Sequence, residues 1–257
     1  MKKRKAQITI FIILGIVIII SIAGVIYLGK TKIDSDLSKK YFSQTDVKSQ
    51  LNLVHESIIN CIDTTTQNAL VLIGLQGGYY KSPQGSFHIG QISIPYYYKD
   101  NLLQMPKRST ITTELEDYTN QNFKYCLEKI KINDFTLDYK NPKTTTTIEK
   151  SKVSFKIDLP ITIEKQSNKI KFETNEHPIE QESKLYEIIE IADYITTSHN
   201  ENPDMICINC VAQMAQEREV YVDMFKFDET TTQILISENK TSEEPYVFEF
   251  LNKYPVE

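Results

Sequence analysis

The sequence predicts an α+β fold, with an N-terminal transmembrane helix followed by antiparallel β-meanders packed with about four helices. Three observations lead there. An uncharged apolar stretch fills positions 8–28. Four later segments space their apolar residues three and four apart, the period of a helix with one buried face. Other regions alternate apolar and polar residues singly, as half-buried strands do. Those strands follow one another in local runs instead of alternating with helices, which points to antiparallel sheet.

The N-terminus opens on a basic block, Lys2, Lys3, Arg4 and Lys5. From Ala6 to Gly29 there is no charge, and Ile8 to Leu28 is 21 residues long, ten of them isoleucine. A helix of that length spans about 31 Å, close to the thickness of a bilayer's hydrocarbon core. Tyr27 sits at the outer end, where an aromatic ring with a polar tip favours the interface. The basic block predicts a cytoplasmic N-terminus and an extracytoplasmic remainder. A cleaved secretory signal fits less well, because its apolar core is only about 7–15 residues long and no small-x-small site separates the stretch from Lys30. The chain carries a net −5 and residues 1–29 carry +4, leaving −9 on residues 30–257. That acidic balance argues against nucleic acid as a partner and leaves the membrane, other envelope proteins or a second copy as the expected ones.

The division that follows is 1–29 as basic cap and transmembrane helix, 30–46 as a juxtamembrane linker or helix extension, and 47–257 as an extracytoplasmic α+β domain. A helix–helix–meander pattern occurs twice, so two halves near 47–175 and 176–257 are an alternative to one unit. The first helix starts near Asp46, carries Leu51, Val54, Ile58, Cys61, Ile62, Ala69 and Leu72, and ends at Gly74 and the pair Gly77-Gly78. In the stretch 79–100, Pro95 predicts an edge strand or an ordered loop. A second helix runs from about Thr110 to Ile130. Val153, Phe155, Ile157, Leu159, Ile161 and Ile163 share one strand face, with Pro160 predicting a break or an edge. A third helix covers roughly Gln181 to Ser198 and a short one begins at Cys207. Three strands near 219–226, 231–237 and 245–251 close the chain.

The four cysteines, Cys61, Cys126, Cys207 and Cys210, are candidate disulfide partners in an exported domain. The favoured pairs are Cys61–Cys126, on the apolar faces of two helices, and Cys207–Cys210. The sequence Cys207-Ile208-Asn209-Cys210 also admits thiol–disulfide redox chemistry, because a helix N-terminus stabilises a thiolate. Against it, no strand leads directly into the motif. A zinc site would need two more ligands from far away, so no metal and no cofactor is expected.

Tyr96, Tyr97 and Tyr98 are a candidate interaction patch, because three neighbours on an extended segment cannot share one face. Tyr97 is expected at the surface; the competing reading is an aromatic lid over the first helix. Asn239-Lys240-Thr241 is a glycosylation sequon. His55, His88, His177 and His199 show no metal spacing, and Glu114-Leu115-Glu116-Asp117 and Glu187-Ile188-Ile189-Glu190 read as solvated helix faces. No nucleophile elbow or phosphate loop occurs, and no catalytic residue is assigned.

Arg4-Lys5-Ala6-Gln7-Ile8-Thr9-Ile10-Phe11 resembles the archaeal class III signal of type IV pilin-like proteins. The resemblance implies processing between Ala6 and Gln7 with the helix retained. Phe11 stands where that family carries an acid used in filament assembly, so a tether is implied without a filament. Over nearly the whole chain, Leu72-Ile73-Gly74-Leu75-Gln76-Gly77-Gly78-Tyr79, Ile94-Pro95-Tyr96-Tyr97-Tyr98 and Asn202-Pro203-Asp204 resemble an uncharacterised family of exported single-span proteins of small-genome archaea. That resemblance implies topology and no activity. The expected function is therefore a membrane-anchored extracytoplasmic structural or interaction protein of the cell envelope. The alternative is a tethered thiol–disulfide oxidoreductase using Cys207 and Cys210.

Overall fold

A computed structural model describes residues 49–131, 135–165, 168–201, 206–238 and 246–254. The chain divides into two compact units, Met1–Val54 and His55–Glu257. Of the first only positions 49–54 are described, all of them helical.

The expected fold class needs two corrections. Among the described residues no helix is long and apolar enough to cross a membrane, so the expected fold class is corrected to one without a spanning helix among them. The stretch 8–28 that suggested it lies outside the described residues, as do Ala6, Gln7, the linker 30–46 and Asn239. The second correction is to the sheets, which are not purely antiparallel. What the described residues form is α+β with four α-helices and mixed sheet.

Helix α1 occupies 55–75 of the second unit. It stops because Gly77 and Gly78 take positive φ (53° and 87°), which lets Gly78 N–H reach Ile73 O at 2.7 Å and Gly77 N–H reach Gly74 O at 3.1 Å. That pair of bonds satisfies carbonyls the helix end would leave open. A hairpin of β1 (Phe87–Ile89) and β2 (Ile92–Ile94) follows, then β3 (Tyr96–Lys99) and β4 (Leu102–Leu103) joined through Asp100 and Asn101, both at positive φ. Helix α2 (Arg108–Lys129) buries Ile111, Leu115, Thr119, Phe123 and Leu127, a single stripe at helical spacing.

The middle of the chain forms β5 (Thr136–Asp138), β6 (Lys143–Glu149), β7 (Lys152–Asp158), β8 (Pro160–Lys165), β9 (Asn168–Glu173) and β10 (Ile179–Glu182). The run through Pro160 changes sheets there: β7 lies between β10 and β6, whereas β8 lies between β5 and β9. Thr174 ties the corner, its Oγ1 accepting from Leu159 N–H at 2.9 Å and donating to Ile157 O at 2.7 Å. Residues 179–182, whose latter half the sequence reading placed in the third helix, are strand instead. Ile179 and Gln181 stand opposite Phe155 and Val153, and pairing with β7 outweighs helical propensity there.

Helices α3 (Leu185–Glu201) and α4 (Ile208–Glu217) come next, then β11 (Val220–Lys226), β12 (Thr231–Glu238) and β13 (Val247–Lys253). The order in the largest sheet is β11-β12-β13-β3-β4, and β13 runs parallel to β3. Strands from residues 96–103 thus complete a sheet begun by residues 220–253. Leu185, Ile188, Ala192 and Ile195 of α3 pack with Tyr97, Phe155, Phe248 and Phe250 in one buried cluster. Gly74 lets α1 approach β13 closely, since a side-chain carbon there would overlap Val247 O.

Candidate functional site

The site is built from α4 and the edge strand β11. Helix α4 begins at Cys207, whose Sγ accepts the N–H of Cys210 at 3.2 Å and caps the first turn. Val211 and Ala215 turn inward and are buried. Ile208 and Ala212 lie on a neighbouring face, four residues apart, and small side chains at 212 and 215 leave room beside the helix. Arg218 closes α4, its Nε donating to Glu190 of α3 at 3.2 Å. Glu219 then takes positive φ (55°), and the chain reverses directly into β11. Strand β11 pairs with β12 alone among the described strands, so its other edge is unpaired among the described residues.

Between the two elements lies a largely apolar groove of about 540 Å³. Ile208, Ala212, Val222 and Met224 contribute apolar walls, and Tyr221 forms part of the rim. The lining holds one acid, Glu219, and no cation; Lys184 Nζ sits 3.0 Å from that carboxylate. Ile208 is 60% exposed, Tyr221 55% and Phe225 51%. Large apolar side chains left this open, next to an unpaired strand edge, mark a binding surface more often than a neutral one.

All four cysteines are paired, Cys61 with Cys126 and Cys207 with Cys210, and none is free. The two bridges differ in kind. Cys61–Cys126 joins α1 to α2 across a separation of 65 residues and has a Cα–Cα distance of 5.7 Å. In the chain-entropy account a loop that long stabilises by about 4 kcal/mol. The Cys207–Cys210 bridge closes a loop of separation 3, for which the same account gives only about 2 kcal/mol. Cys61 is buried, whereas Cys207 is exposed and Cys210 half-buried at the open end of α4.

The tyrosine patch needs correcting. Tyr97 and Tyr98 are both buried, because β3 is covered on both faces. Tyr97 stacks on Phe250 with ring centroids 4.2 Å apart and donates its hydroxyl to Gly77 O at 2.8 Å. Burial holds that phenol well above its ordinary pKa. Tyr98 points to the other face, near Tyr254, and donates to Asn101 Oδ1 at 3.1 Å. Tyr96 is half-buried with Lys99 Nζ 4.7 Å above its ring. Neighbouring strand residues do face opposite ways; the inference to exposure fails because the parallel pairing with β13 places β3 inside the sheet.

The acidic helix segments are not simply solvated. Glu114 accepts the N–H groups of Tyr80 and Lys81 at 2.8 and 2.9 Å, and Glu116 accepts that of Thr146 at 2.8 Å. Glu187 is buried and accepts from Ser151 N–H at 3.2 Å. These carboxylates act as acceptors for loop and strand backbone. His88 Nδ1 lies 2.7 Å from Ser93 Oγ. His55 and His177 flank Phe172, with ring centroids 4.9 and 5.1 Å from it. Burial, and secondarily the charge of His177, hold His55 below its ordinary pKa. Among the described residues no group of three or more His, Cys, Asp and Glu side chains is placed to hold a metal ion.

The groove escaped the sequence reading. Its trace was there: Val220-Tyr221-Val222 and Met224-Phe225 put apolar residues on both faces of one strand, and Ile208 is apolar on the wrong side of α4. A pattern of that kind has two physical solutions, burial on both faces or an exposed face kept apolar for a partner. Comparison of the chain with protein-family models, curated proteins and solved structures finds no match.

Proposed function

We propose that this protein works outside the cytoplasm as a structural or interaction protein, and that it captures an extended polypeptide segment along the open edge of β11. The observation that carries the reading is the apolar groove lying directly beside an unpaired strand edge. An added strand would hydrogen-bond the free backbone of β11, and its alternate side chains would enter the groove. Charge does little to choose the partner, since Glu219 is paired with Lys184 and β11 exposes both Asp223 and Lys226; alternating apolar residues are what the groove would select. Extracytoplasmic placement is supported by the pairing of all four cysteines, since disulfides persist in oxidising compartments. The net charge of −5 fits a protein partner better than a nucleic acid.

The test is selection from a library of ten-residue peptides on the immobilised full-length chain, followed by calorimetry with the winners. Sequences alternating apolar and polar residues are expected to enrich, to bind in the micromolar range, and to lose binding with Ile208→Asp or Tyr221→Asp. Both side chains are largely exposed, so those variants keep the fold. Peptides without that alternation, or unchanged binding in both variants, would refute the reading. A concentration-dependent dimer abolished by the same substitutions would replace the foreign segment with a second copy.

A further inference from the structure

We propose that the Cys207–Cys210 disulfide is a thiol–disulfide exchange site, oxidising a pair of cysteine thiols in the polypeptide that the α4/β11 groove holds. The substrate side rests on the docking reading above; the chemistry does not.

Four features converge on this bridge. It is the accessible one, with Cys207 exposed and Cys210 half-buried behind it, so an incoming thiolate meets Cys207 Sγ first. That sulfur sits at the N-terminus of a ten-residue helix and already accepts the Cys210 N–H at 3.2 Å. The same donor and the same helix end would hold a Cys207 thiolate, making it a good leaving group. Ile208, between the two cysteines, is 60% exposed and lines the groove, so a bound segment passes beside the sulfur. The bridge also spans only three positions of one helix turn, so opening it leaves the α1–α2 staple and the sheets in place.

The exchange balances without a further reactant. A substrate thiolate attacks Cys207 Sγ, the S–S bond breaks, and its electron pair leaves on Cys210 Sγ, which takes a proton. The second substrate thiol loses its proton and attacks the substrate sulfur of the mixed disulfide. Cys207 Sγ leaves with that bond's electron pair. The substrate dithiol is oxidised by two electrons to a disulfide, the protein disulfide is reduced to two thiols, and the two substrate protons end on Cys207 and Cys210 or in solvent. Each oxidised chain converts one dithiol and ends with Cys207 and Cys210 as thiols.

The test uses the full-length chain in graded glutathione buffers, quenched in acid, alkylated and mapped by peptide mass. Cys207–Cys210 is expected to open reversibly while Cys61–Cys126 stays closed and the far-ultraviolet circular dichroism is unchanged. Once reduced, Cys207 is expected to alkylate with a midpoint below the ordinary thiol value of about 8.5. In single turnover, a reduced peptide with two cysteines between Ile and Val residues should be oxidised. Ile208→Ser should slow that reaction by about tenfold, the worth of one lost apolar contact. Offered the oxidised form of the peptide instead, Cys210→Ser should trap a mixed disulfide on Cys207, because its thiolate attacks the peptide disulfide and no second protein thiol is there to resolve it. A bridge that opens only as the fold is lost, a Cys207 with an ordinary alkylation profile, or a peptide that binds without being oxidised would each overturn the exchange reading. Oxidation insensitive to Ile208→Ser would overturn the groove's part in it and leave the sulfur chemistry standing.

Discussion

Replacing Tyr97 with Phe separates a buried structural tyrosine from a surface contact residue. The side chain has 0% exposure, its ring stacks on Phe250, and its hydroxyl donates to Gly77 O at 2.8 Å. Tyr97→Phe keeps the ring, its stacking and nearly all its volume. What it removes is one hydrogen bond, and it leaves the acceptor, the carbonyl of buried Gly77, without that donor. Stranding a buried acceptor costs about 1–3 kcal/mol. At about 2–4 °C per kcal/mol for a domain of this size, the melting temperature should fall by several degrees, and the midpoint in urea should drop with an unchanged slope. Tyr125→Phe, at a ring largely exposed on α2, is the control and should move neither. A Tyr97→Phe protein as stable as the parent, with weakened partner binding, would refute the buried arrangement and restore the surface patch expected from the sequence.

Three other perturbations probe the rest of the fold. Replacing both Cys61 and Cys126 with Ala should cost about 4 kcal/mol in urea denaturation, and replacing both Cys207 and Cys210 about 2 kcal/mol; equal losses would contradict the loop-length account. Gly77→Ala should cost at least about 2 kcal/mol, because the position has φ +53° and a side-chain carbon would meet Glu249 O at 2.6 Å and Pro95 Cγ at 2.7 Å; calorimetry reads the loss. Two groups set opposite pH slopes. His55 has a folded pKa below its unfolded one, so the unfolded chain binds the extra proton, and stability should fall as pH drops through about 6.5; His55→Gln should flatten that limb of a melting-temperature profile. Burial raises the folded pKa of Glu249, with the Gln233 hydrogen bond opposing it. Its carboxylate therefore lowers stability as pH rises above about 4.3, and Glu249→Gln should raise the melting temperature at pH 7.

Much of the secondary structure was legible from local pattern, and the reasons lie in particular residues. Ile111, Leu115, Thr119, Phe123 and Leu127 recur at helical spacing because α2 lies on the core by one face. Val153, Phe155 and Ile157 alternate because β7 is covered on one side. The glycine pair at 77–78 stops α1 through backbone freedom that can be read from composition. Where the reading erred, a distant partner was the cause. Gln181 and Glu182 look helical until Val153 and Lys152 are set opposite them. Glu114 and Glu116 look solvated until the backbone N–H groups of Tyr80, Lys81 and Thr146 arrive.

The sequence by itself determined the α+β composition, the approximate extents of the helices and of the three closing strands, and the cysteine inventory, because periodicity, glycine and cysteine act within a few residues of themselves. Tertiary structure alone decided that β3 pairs in parallel with β13 and so buries Tyr97 and Tyr98. It alone left the edge of β11 open beside an apolar groove, with the exposed Cys207–Cys210 bridge next to Ile208. Strand order is set by contacts more than a hundred residues apart in the chain, such as Tyr97 on Phe250, and no local pattern encodes it.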